Sequence, residues 1–150
     1  MRKRTLNVDS DTRAGLIAAL ISGLPSSGHA LITGRDPLQA TTAAGSLIMP
    51  NSSSRPQLLI AAVPAHIGIS LFWTYLLCRV LPARRRALAG AAYGAAIAVV
   101  DLRIIGGAIP RIRALPLGPQ IADHAFFGAI VGFLTSSNKL NQGTRGREIS

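Results

Sequence analysis

The sequence predicts an all-α polytopic membrane protein: four transmembrane helices plus one short interfacial or re-entrant helix. Three observations carry this. Charged residues make up only 15% of the 150-residue chain, against about 25% in an average soluble domain. Those charges are gathered into clusters, with long uncharged stretches between them. Four of those stretches are long enough to approach the thickness of a bilayer core.

The chain reads as one membrane domain, residues 1–150, with polar tails at 1–13 and 138–150. The first apolar run covers 14–32, nineteen residues, or roughly 28 Å as a helix. Pro25 should kink it, because proline has no N–H to give the helix ladder. A cleaved signal peptide is the competing reading of residues 1–30. Arg2, Lys3 and Arg4 open the chain, and Gly28 and Ala30 are small enough for a cleavage site. Against cleavage, Asp9 and Asp11 lengthen and acidify the region before the apolar run.

Asp36-Pro37 reads as a helix start, an acid at the N-cap followed by proline at the first helical position. A helix over 37–49 would be too short to cross a bilayer. The second span, 58–78, is the clearest: no formal charge, one histidine, His66, and Trp73 and Tyr75 toward its far end. The basic Pro82-Ala-Arg-Arg-Arg86 connection follows. The third span, 87–109, is built from small residues and interrupted by Asp101 and Arg103. A proline-rich loop leads to the fourth, 120–136, which opens on Asp123 and His124. The tail from Asn138 is polar and reads as disordered.

Charge sets the expected topology. Four spans put the N-terminus, the 79–86 loop and the C-terminal tail on one side, with eleven Lys and Arg against five opposite. The positive-inside rule then places both termini in the cytoplasm, with the chain in the inner (plasma) membrane. A nucleic-acid binder of net charge +10 would interleave its cations with polar and aromatic residues along one face. Here they punctuate apolar runs, so the lipid bilayer is the expected partner and nucleic acid is not. The single cysteine, Cys78, permits no internal disulfide and sits in an apolar run, where a packed thiol is the expectation.

Lipid gives helices no hydrophobic reason to associate, so close approach through small residues has to supply the contact. Gly90-x-x-x-Gly94 and Gly128-x-x-x-Gly132 are such patterns. They suit either a homo-oligomer face or packing within one bundle, and the abundance of glycine and alanine favours the second. A membrane-protein partner is the other expectation for such faces.

Ionisable residues within spans are costly and mark candidate sites. Here they are His29, His66, Asp101, Arg103, Asp123 and His124. All but His66 fall toward the outer ends of the helices. The plainer expectation is charge satisfaction, Asp101 or Asp123 pairing with Arg103, Arg111 or Arg113. The sharper one is a proton or ligand site with His66 and Asp101 as its deepest members, as in a small transporter or channel. A metal set of His66, Asp101 and His124 fits by ligand type but lacks ligand spacing, so no metal or other cofactor is expected. The chain lacks Gly-x-Ser-x-Gly, His-Glu-x-x-His and a phosphate-cradling glycine loop. An enzyme is therefore not expected; a structural or assembly role is.

Two stretches, His66-Ile-Gly-Ile-Ser-Leu-Phe-Trp73 and Ile121-Ala-Asp-His-Ala-Phe-Phe-Gly128, resemble segments of small bacterial inner-membrane proteins of the YagU-like kind. In those, a histidine opens the second span and a short histidine-containing segment opens the last, after a proline-rich loop. His29-Ala-Leu-Ile-Thr-Gly-Arg-Asp-Pro37 is similar to membrane proteins of high-GC, actinobacterial genomes. The resemblance covers residues 57–134. The long polar insert of YagU-like proteins after the first span is replaced here by the shorter 34–56 segment. The resemblance implies a multi-span helical membrane protein and no particular chemistry.

Overall fold

The computed structural model describes residues 8–145, with side chains described through 136. The element order is α1 (Val8–Ile21), α2 (Leu24–Ile32), α3 (Gln39–Gly45), α4 (Arg55–Val80), α5 (Arg86–Val99), α6 (Pro110–Arg113) and α7 (Leu117–Arg145). A π-helical segment, Val100–Ile105, extends α5 directly. The protein is all-helical, and four helical stretches are long and apolar enough to cross a membrane: Val8–Ile32, Arg55–Val80, Arg86–Ile105 and Leu117–Ser136.

The first stretch is two helices rather than one kinked one. Pro25 lies in the first turn of α2, where its missing N–H costs nothing. Continuing α1 through it would set its ring against the carbonyl of Ile21, so the helix stops there and restarts after Ser22-Gly23. Helix α1 also starts six residues before the apolar run, inside the polar segment. Asp9 and Asp11 lie in its first turn, where carboxylates suit the helix dipole.

Asp36 caps a turn, not a helix. Its Oδ1 accepts the Leu38 N–H at 2.9 Å and an Arg55 N–H at 2.9 Å, tying this segment to the start of α4. Helix α3 therefore begins three residues later, at Gln39. It packs on α4 through Gly45, whose missing side chain lets it meet the Leu58 carbonyl. Ala43 of α3 joins Ala98, Leu102 and Ile112 in a small core at this end of the bundle. Of the three loop prolines, Pro110 opens α6 and Pro119 lies in the first turn of α7.

Helix α7 is the centre of the bundle and touches α1, α2, α4 and α5. Its closest partner is α5. Gly90 faces the backbone of Gly128, Gly94 that of His124, and Gly132 that of Arg86, so a methyl at any of them would overlap a main-chain carbonyl. All four glycines of the two Gly-x-x-x-Gly patterns thus lie on one antiparallel seam within the chain. The main core beside it comprises Ala18, Leu77, Cys78, Ile97, Phe127 and Val131, with Cys78 wholly buried.

Outward, the bundle is apolar. Leu20, Ile32, Ile60, Leu88 and Ile104 are between 68% and 88% exposed. So much outward apolar surface is what a lipid-facing bundle presents. The tail expected to be disordered from Asn138 instead continues α7 as far as Arg145. The expectations for residues 1–7 and 146–150 lie outside the described residues.

Candidate functional site

The break in the first span creates a chemical problem. A helix end leaves carbonyls without donors, and a helix start leaves amides without acceptors. In an apolar bundle no water is at hand to take them. Two other helices supply the missing groups.

On the α1 side, the Ala19 carbonyl accepts from His66 Nε2 at 2.9 Å, reaching across from α4. A carbonyl can only accept, so this nitrogen carries its proton. On the α2 side, the Ser26 N–H donates to Asp123 Oδ1 of α7 at 2.8 Å. The Ser26 hydroxyl turns back to the Gly23 carbonyl at 3.3 Å. Asp123 is buried, so its carboxylate serves as an N-cap supplied from another helix.

A second group lies beside it. The Trp73 indole N–H points at both oxygens of Asp101, at 3.1 and 3.0 Å. His124 Nε2 stands 3.3 Å from Asp101 Oδ2, and its Nδ1 stands 2.8 Å from the Gln120 carbonyl. The Asp101 and His124 side chains are 14% and 23% exposed. Geometry brings them together although Gly94, not Asp101, faces the His124 backbone. A helical side chain leans toward its own N-terminus, and that carries the imidazole one turn toward Asp101.

The Gln120 carbonyl can only accept, so Nδ1 of His124 carries a proton and Nε2 is the nitrogen turned to Asp101.

Asp101 lies in the π-helical segment, where the Gly106 N–H reaches back five residues to the Asp101 carbonyl at 2.7 Å. Such wide turns recur at functional positions.

The six ionisable residues singled out in the sequence therefore separate. His66 and Asp123 close the break, and Asp101 and His124 form the pair. Arg103 is exposed. It follows Asp101 by two positions, which turns it to the far side of the helix. The expected pairing of Asp101 or Asp123 with an arginine is thus replaced: Asp101 has His124 and Trp73, and Asp123 has a backbone amide. His29 is exposed and lines a shallow cleft with Ser26, Arg35, Asp36 and Gln120. His66, turned to Ala19, does not join Asp101 and His124. Among the described residues no three His, Cys, Asp or Glu side chains converge on a metal-sized site.

Three contributors were not singled out in the sequence. Trp73 reads there as an interfacial aromatic. Ser26 and Gln120 act through backbone atoms, which leave no trace in residue type. Arg86, the last residue of the basic connection, is 4% exposed. It donates to the Leu81 and Pro82 carbonyls and to Thr135 Oγ1, at 3.3, 3.4 and 3.1 Å.

No family model, curated protein or solved structure matches this chain. What it shows is a multi-pass helical bundle with four stretches fit to cross a membrane and a polar cluster gathered around a broken one.

Proposed function

We propose that this chain is a small bacterial inner-membrane protein of the YagU-like kind, with both termini cytoplasmic, serving a structural or assembly role rather than an enzymatic one. One observation carries the reading: both free ends of the broken first span are closed by side chains of other spans, His66 on Ala19 and Asp123 on Ser26. Groups committed to backbone in this way fix the shape of the bundle. The exposed apolar helix faces leave room for a membrane-protein partner or a second copy. The test is His66→Ala beside Asp123→Leu, each followed by folded yield in detergent and by growth of the host. Lost folded yield supports the structural reading. Normal folding with a lost phenotype refutes it.

A second reading, a small transporter or channel with a proton or ligand site, draws support from the Asp101–His124 pair. Asp101 lies in the π-helical segment, and the pair is not fully enclosed. It moves the candidate site from His66 and Asp101 to Asp101 and His124. Flux by protein reconstituted in vesicles, with and without His124→Gln, decides it: a proton-coupled flux lost in the variant establishes transport, and its absence in both removes the reading.

A further inference from the structure

The end of the bundle away from the polar cluster is strongly cationic. It carries the α4–α5 connection, where four arginines, Arg79, Arg84, Arg85 and Arg86, fall within eight residues. Arg79, Arg84 and Arg85 are exposed there, and none has a carboxylate partner among the described residues.

The connection is braced rather than slack. The buried Arg86 guanidinium gathers the Leu81 and Pro82 carbonyls from inside and anchors them to Thr135 of α7. Arg85 is held at φ 52°, the left-handed region, at the residue just before α5. Arg79 lies 4.1 Å over the Tyr75 ring and donates to its hydroxyl, which fixes the direction of its charge. Next to these cations the surface turns apolar: Leu76, Val80 and Leu88 are 40%, 47% and 68% exposed.

Exposed guanidinium groups on a braced loop beside an apolar flank match one class of molecule. Arginine pairs with phosphate oxygens through its planar fork. The apolar side chains beneath match an acyl chain, which a free phosphate lacks. We propose that this loop binds an anionic phospholipid, with Arg79, Arg84 and Arg85 on the headgroup and Leu76, Val80 and Leu88 along the chain. The inference rests on the bundle spanning a membrane and not on the role of the polar cluster.

The experiment is native mass spectrometry of the full chain in mild detergent, supplied with phosphatidylglycerol or phosphatidylcholine. The variant is Arg84→Gln with Arg85→Asn, since asparagine tolerates the left-handed backbone. Arg111→Gln with Arg113→Gln, the same change in charge at the opposite end, is the comparison. Wild type should retain phosphatidylglycerol in preference to phosphatidylcholine. The loop variant should lose at least about tenfold in that retention, from the loss of two juxtamembrane charges. The comparison should stay within about twofold, and glycerol 3-phosphate should fail to compete. Should the double variant not fold, Arg79→Gln, whose hydrogen-bond and ring partner is Tyr75, takes its place, with an expected loss of about fivefold for one charge. Equal loss in the two charge variants means a diffuse charge effect and overturns the proposal. So does equal retention of the two lipids, or full displacement by glycerol 3-phosphate.

Discussion

The Asp123 carboxylate holds the amide of Ser26, ninety-seven positions earlier in the chain, at 2.8 Å. A helix that stops and restarts inside an apolar bundle needs this kind of help, and here an acid on the central helix provides it. The contact makes Asp123→Asn and Asp123→Leu diverge. Asparagine keeps an acceptor oxygen and should cost about 1 kcal/mol or less. Leucine leaves a buried N–H unpaired and should cost roughly 1–3 kcal/mol. Thermal melting in detergent reads the difference; equal losses from both would show that the oxygen is not what matters.

The α5–α7 seam predicts a sharp contrast between glycines. Gly90→Ala and Gly128→Ala each drive a methyl into the other's carbonyl, so both should lower folded yield and melting temperature. Gly68 and Gly28 have open space where a side chain would go. Alanine there should be neutral or stabilising by about 0.5–1 kcal/mol through helix propensity. Parallel expression trials of the four variants check this, and a harmless Gly90→Ala would contradict the seam.

Trp73 is the only tryptophan, so intrinsic fluorescence reports directly on Asp101. Excitation moves electron density away from the pyrrole nitrogen, so a carboxylate beside that nitrogen favours red emission. Asp101→Asn should therefore shift emission to the blue, while Asp123→Asn should leave it unchanged. Emission spectra of the folded variants decide the point.

Arg86 should behave as a buried structural group. Arg86→Met removes the donors that serve the Leu81 and Pro82 carbonyls and Thr135, and should cost roughly 1–3 kcal/mol. Arg84→Gln, on an exposed residue of the same run, should change melting by less than about 0.5 kcal/mol. Chemical or thermal denaturation of the purified proteins compares them.

Much of this architecture can be read from residue order, and the remainder has identifiable reasons for being hidden. Spans announce themselves because lipid demands about twenty apolar residues in a row. Pro25 announces a disruption, since its chemistry is local. Which side chains repair that disruption depends on which helices become neighbours, and neither His66 nor Asp123 carries that in its sequence surroundings. The split of the ionisable residues into a break-closing pair and an Asp101–His124 pair is hidden for the same reason. Arg86 is one of three consecutive arginines. Only its place at the first turn of α5, opposite Thr135, turns it inward. The glycine patterns were legible as packing faces, while their partners emerge only from the antiparallel register of α5 and α7.

The most direct test of the central claim is a double-mutant cycle between His66→Ala and Asp123→Leu, read by melting in detergent. Both residues close the same break, so each single change should destabilise the protein. The second change should then cost clearly less than the first, because the break is already open. Two single variants that melt with the wild type would contradict the claim that these side chains hold the broken span.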